Sequence, residues 1–251
     1  MRVFLLDTCI LSHLYPRVLR DICDLLKRLG VKPVIPDGLG CCGLPAYNSG
    51  HWEIARSMAK RLLKLFAREE IPIVVPSGSC AAMIRVHYLK LFGDDPYWLN
   101  RAGPIAERTY ELSQFLVQKI GPDEIRGRYE ARVAFHDSCQ ALRSLNIFGE
   151  PTILLNQIQG VLPAGIDFRV EGGEGCCGFG GFFHLKYPEI SAAMRESKLK
   201  KLLEASPDIV VGLDMGCLYN LKKGLSKGDR RIRFLHLGEF LREAMAKYGR
   251  G

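Results

Sequence analysis

The sequence contains no uninterrupted apolar run of the roughly 18 residues that a membrane-crossing helix needs, so no transmembrane segment is expected. The apolar start is broken at Asp7, too early for a secretory signal, and a cytoplasmic location follows as an expectation. No two cysteines stand in CxxC spacing, which removes the close pairs usual in structural zinc sites. Neither zinc-finger spacing nor an aromatic-plus-basic strand of the RNA-binding type is present, so nucleic acid is not an expected partner despite the net charge of +8. Much of that charge falls late, at Lys198, Lys200, Lys201, Lys222, Lys223, Lys227, Arg230, Arg231 and Arg233. Solvated helix and loop surface is the expected role, with docking to an acidic partner as the alternative.

What the chain does have is nine cysteines, and a reducing compartment argues against disulfides. Comparing the chain with itself reveals a repeat. Asp7-Thr8-Cys9 returns as Asp137-Ser138-Cys139, and Gly40-Cys41-Cys42-Gly43 as Gly175-Cys176-Cys177-Gly178. Ile73-Val74-Val75 leading to Cys80 returns as Ile209-Val210-Val211 leading to Cys217, and all these offsets lie between 130 and 137 residues. Leu112-Ser113-Gln114-Phe115-Leu116 and Leu237-Gly238-Glu239-Phe240-Leu241 close the two copies. Eight of the nine cysteines thus form two sets of four, with Cys23 left over as an expected core residue. Two tandem units are read, 1–125 and 126–251, joined near the Gly- and Pro-containing stretch from Pro122 to Arg128.

Short apolar runs at Val3 to Leu6, Val34-Ile35 and Ile73 to Val75 predict strands, each followed by cysteine. Pro16 to Leu29 and Trp52 to Arg68 carry apolar residues at helical intervals between them. In the second half, strands are predicted at Val133 to Phe135, Phe168 to Val170 and Ile209 to Val211, with helices over Pro151 to Gly160 and Pro188 to Leu203. Alternating strands and helices imply an α/β fold, each unit a small parallel sheet flanked by helices. Because every ligand-type cysteine follows a strand, the four of each half are expected together at the carboxyl edge of their sheet.

Four converging thiolates suit an iron–sulfur cluster or tetrahedral zinc, with thiol–disulfide chemistry a third possibility. An adjacent Cys-Cys pair is awkward for one zinc ion but can reach different atoms of a cluster. Glycines beside the pairs (Gly40, Gly43, Gly175, Gly178, Gly180, Gly181) would let backbone amides approach such a centre. Gly38 to Gly43 and Gly173 to Gly178 spell GxGxxG, yet neither a following helix start nor an acid about 20 residues on completes a dinucleotide site.

The phrases Cys41-Cys42-Gly43-Leu44-Pro45-Ala46-Tyr47-Asn48-Ser49-Gly50, Pro76-Ser77-Gly78-Ser79-Cys80-Ala81-Ala82-Met83, Cys176-Cys177-Gly178-Phe179-Gly180-Gly181 and Asp214-Met215-Gly216-Cys217 resemble the cysteine-rich CCG-domain family. That family includes the cysteine-rich component of heterodisulfide reductase and the C-terminal parts of the iron–sulfur components of glycolate oxidase and anaerobic glycerol-3-phosphate dehydrogenase. The chain is most similar to its stand-alone two-repeat members, which serve L-lactate oxidation to pyruvate. The resemblance implies two α/β units about a pseudo-twofold axis and one or two clusters of the [4Fe–4S] type, with zinc in one half as the alternative. It further implies an electron-transfer role beside a ferredoxin-type iron–sulfur subunit and a third subunit. Ligands carried over are Cys9, Cys41, Cys42 and Cys80, then Cys139, Cys176, Cys177 and Cys217. In the heterodisulfide reductase branch each unit has a fifth cysteine, where this chain has Ser77 and Asp214. Electron transfer is therefore expected ahead of enzymatic action on a disulfide or quinone, with a zinc-held scaffold as a further alternative.

Asp214 has two open readings, an oxygen ligand or a helix cap. His136 could tune or ligate a centre or simply be a hydrogen-bonded structural residue; its counterpart in the first half is Leu6. Asp7 and Asp137 recur before each leading cysteine, for loop amides or for orienting a ligand. His51, His87, His184 and His236 show no metal-type spacing.

Overall fold

The computed structural model describes residues 1–171, 175–226 and 228–248, which leaves Gly173 of the second GxGxxG and Lys227 outside the described residues. The first half forms a four-stranded parallel sheet from β1 (Arg2–Leu5), β2 (Lys32–Val34), β3 (Ile73–Val75) and β4 (Thr109–Glu111), ordered β2-β1-β3-β4. The second half repeats it with β5 (Gly127–His136), β6 (Ile158–Pro163), β7 (Ile209–Gly212) and β8 (Arg233–His236), ordered β6-β5-β7-β8. All pairings are parallel, with Phe4 opposite Ile73, Val74 opposite Tyr110, Val133 opposite Ile209 and Val210 opposite Phe234. The central strands β3 and β7 are buried along their whole length, as continuous β-branched runs covered on both faces should be.

Two features depart from the sequence expectation. Each sheet has a fourth strand, only three or four residues long, directly before the repeated closing phrase. The polar residues in them, Thr109 and Glu111 in β4 and Arg233 and His236 in β8, break the apolar run that marks the equally short β3 and β7. In the second half, the strand expected at Phe168 to Val170 instead lies at Ile158–Pro163, and the preceding helix ends early, spanning Glu150–Asn156. Gly160 and Pro163 disguise β6, but an edge strand tolerates both because one side of its backbone needs no partner. Phe168 is buried nonetheless, in a turn at φ +67°, and its carbonyl accepts the Phe135 N–H at 2.6 Å.

The closing phrases start helices that cross between the halves. The helix Leu237–Tyr248 lies on Pro16–Arg28 of the first half, where Arg242 pairs with the buried Asp21 at 3.3 Å. Correspondingly, the helical stretch from Leu112 to Ile120 packs against Glu150–Asn156 of the second half. Each half therefore covers an apolar face of the other. Among the described residues, no helix is long and apolar enough to cross a membrane.

Lys198, expected on the solvated surface, is buried at 4% exposure, whereas Lys200, Lys201, Lys222 and Lys223 are exposed. Cys23 is half-buried against the core.

Gly238 is a point of close approach between the crossing helices. A Cβ there would stand 2.7 Å from Ile22 Cγ1 and 2.9 Å from Leu112 Cδ2. Gly238→Val is expected to destabilise the protein by about 1–3 kcal/mol through overpacking. Urea unfolding checks this, and an unchanged midpoint would contradict the packing described.

Candidate metal centre

Parallel pairing returns every crossover to the same sheet edge, so the residues following β1, β2 and β3 emerge together. Cys9 opens the short helix Cys9–Leu14 beyond β1, and Cys80 sits in Gly78–Ala82 beyond β3. Cys41 and Cys42 occupy the loop before Leu44–Asn48. The second half matches: Cys139 opens Cys139–Leu145, Cys217 lies in Met215–Lys223, and Cys176 and Cys177 precede Phe183–Lys186. All eight thiols line one cavity of about 130 Å³ where the two sheet edges face each other. Within the first set, Cys42 Sγ and Cys80 Sγ are 3.3 Å apart.

Each pair is followed by a glycine in the left-handed region, Gly43 at φ +91° and Gly178 at φ +79°, a conformation that side chains other than glycine adopt at a cost. That turn aims the glycine N–H back at the first cysteine of the pair, with N···Sγ distances of 3.4 Å to Cys41 and 3.4 Å to Cys176. Two residues absent from the sequence expectation fix the second cysteine of each pair. Tyr88 Oη donates to the Cys42 carbonyl at 2.8 Å, and Asn220 Nδ2 donates to the Cys177 carbonyl at 2.8 Å. They come from different positions of the two units, Tyr88 from the helical turn Tyr88–Leu91 after Cys80 and Asn220 from the helix Met215–Lys223 that carries Cys217, so the repeat does not reveal them.

Hydrogen bonds from the Cys42 and Cys9 thiols draw the Cys41 pKa well below that of a free thiol, with help from the Gly43 amide and Arg61. Cys139 and Cys177 do the same for Cys176. Sharing a proton with these neighbours, and then burial, raises Cys9, Cys42, Cys139 and Cys177. Such clustered sulfur donors suit a thiophilic metal, whose positive charge would displace the shared protons.

Ser77 and Asp214, the equivalent positions of the two halves, meet each other. Ser77 Oγ donates to Asp214 Oδ1 at 2.6 Å, and the Ser79 hydroxyl and amide reach the same oxygen at 2.7 Å and 3.2 Å. Asp214 holds the N-cap position of Met215–Lys223 but makes no cap bond there; its carboxylate serves the N-terminus of Gly78–Ala82 in the other half instead. Its Oδ2 is buried without a hydrogen-bond partner among the described residues. Asp137 forms a two-pronged pair with Arg169 Nε at 3.0 Å and 3.1 Å, tying the end of β5 to the turn after β6. Asp7 has a buried Oδ1 without a partner among the described residues. His136, at the end of β5, is 1% exposed and neither ring nitrogen is hydrogen-bonded among the described residues. One of its nitrogens, Cys177 Sγ and Cys217 Sγ all lie within 4.8 Å of one another. Of the other histidines, His87 stacks on Tyr47 and contacts Gln140 Oε1 at 3.1 Å across the halves. His184 stacks on Phe179.

The sequence profile described as the cysteine-rich domain (CCG) matches residues 3–85 and again 133–222. The chain belongs to the cysteine-rich domain family. One relative is Lactate utilization protein A 2 of Bacillus cereus, 37% identical over 247 residues, covering 98% of this chain and 100% of the relative. A second is Lactate utilization protein A of Halalkalibacterium halodurans, 38% identical over 241 residues and covering 96% of each. The two family matches fall one on each sheet, so each copy of the cysteine-rich domain carries one set of four thiols.

His236 pins the two copies beneath the cavity. Its Nε2 faces the carbonyls of Pro76 at 3.2 Å and Leu213 at 3.1 Å, while Nδ1 accepts the Gly238 N–H at 3.1 Å, which specifies a neutral ring. Burial lowers its pKa from 6.5 to about 4. A base depressed in the folded state stabilises fully above pH 6.5 and loses that contribution as pH falls toward about 4, by about 3 kcal/mol. Stability measured between pH 7 and pH 4 is therefore expected to fall less steeply in His236→Gln than in the parent. Parallel curves would rule the assignment out.

Proposed function

We propose that this chain is the iron–sulfur electron-transfer subunit of a cytoplasmic oxidoreductase complex that oxidises L-lactate to pyruvate. The observation that carries this reading is the duplicated set of four thiols converging on one cavity. Support for the substrate comes from relatives named for lactate utilization that match almost end to end. Cys9, Cys41, Cys42 and Cys80 are assigned to one [4Fe–4S] centre in a unit spanning 1–125. Cys139, Cys176, Cys177 and Cys217 are assigned to a second in 126–251. The partners proposed are a ferredoxin-type iron–sulfur subunit and a third subunit of the same complex.

When bound, such a cluster supplies a one-electron site whose potential is set by its ligands, hydrogen bonds and exposure. The chain's own residues supply those settings. Gly43 and Gly178 direct amides at sulfur, and Tyr88 and Asn220 hold the cysteine pairs in place. Ile10, Leu11, Leu44 and Phe179 line the cavity with apolar surface that disfavours water. Ser77 and Asp214 bond to each other, so each half offers four thiolates rather than five, which favours electron transfer over heterodisulfide chemistry.

Protein purified without oxygen is expected to contain iron and sulfide in equal amounts, approaching about eight irons per chain for two cubane clusters. Visible absorption should bleach on reduction, and Cys41→Ser or Cys176→Ser should each remove about half the iron. Zinc without iron, or no metal, would overturn the proposal in favour of a scaffold.

A further inference from the structure

The two thiol sets are close copies, but their surroundings are not. Beneath the first set the strand-end position is Leu6, fully buried and apolar. Beneath the second it is His136, a residue that the repeat does not require and that the fold nevertheless buries completely. An imidazole withdrawn from water with neither nitrogen bonded carries the full desolvation penalty of both. Such a cost calls for a partner that the protein's own donors and acceptors do not supply among the described residues. The ring is not stranded at random: one nitrogen shares a 4.8 Å neighbourhood with the sulfurs of Cys177 and Cys217. Those two cysteines are the buried members of their set.

Resting on the reading that both halves carry metal centres, we propose that His136 is a nitrogen ligand of the second centre, in place of one of the four thiolates assigned to it above. The first centre then has a donor set of thiolates alone, and the second combines thiolates with an imidazole. In iron–sulfur proteins, exchange of thiolate for imidazole donors raises the reduction potential, so the two halves would be electrochemically distinct although their cysteines are arranged alike. The difference follows from one position, Leu6 against His136.

Pulsed electron paramagnetic resonance on anaerobically prepared, reduced protein labelled with 15N at histidine tests the assignment. A nitrogen coupling of directly bound size is expected from the centre that Cys176→Ser removes, and not from the one that Cys41→Ser removes. His136→Ala should abolish the coupling and narrow the difference in potential between the two centres. Should His136→Ala fail to fold, His136→Cys serves instead: it fills the space, keeps a ligand and must also lose the coupling. Two filled centres without any histidine coupling in the parent would overturn this inference while leaving the electron-transfer reading intact. Iron content unaffected by Cys176→Ser would overturn both.

Discussion

Parallel pairing is the constraint on which this molecule depends. A parallel strand can be followed by another only if the chain returns over the sheet, so every crossover begins at the same edge. Cysteines placed just after strands are then neighbours in space whatever their separation in sequence. Two such sheets, set edge to edge, bring eight thiols to one cavity. The burial of β3 and β7 supplies the apolar core that holds both edges in register.

Gathering thiols in a protein interior works against their chemistry, because adjacent thiolates repel and buried charge is costly. Hydrogen bonds from neighbouring thiols lower the pKa of Cys41 and Cys176, and sharing those protons raises Cys9 and Cys139. Left-handed glycines, Tyr88 and Asn220 orient the pairs with groups that do not compete for metal.

The halves are bound to each other by more than the site. Crossing helices bury Gly238 against Ile22 and Leu112, His236 bridges Pro76 and Leu213, and Asp214 caps the helix that carries Cys80. The last of these joins the two positions where a fifth thiolate per half could otherwise stand. Structural union of the halves and limitation of each set to four cysteines are thus achieved by the same pair of residues.

The repeat, the α/β class and the eight candidate cysteines were legible in the sequence because they depend on local signals: apolar runs, helical periodicity and recurring short phrases. β6 was not, since Gly160 and Pro163 look like breakers until an edge position makes them tolerable, and β4 and β8 mix polar residues into runs too short to show a pattern. Nor could sequence decide between cap and ligand for Asp214, whose carboxylate crosses to the other half, 135 residues away at Ser79. Equally hidden was that neither ring nitrogen of His136 is hydrogen-bonded among the described residues, because that is a property of surroundings drawn from several strands. By itself the sequence determined which cysteines are the candidates for the chemistry and that they come twice. Only tertiary structure decided that both sets share one cavity and that one of them has a buried imidazole beside it, because packing alone brings together groups that the chain keeps far apart.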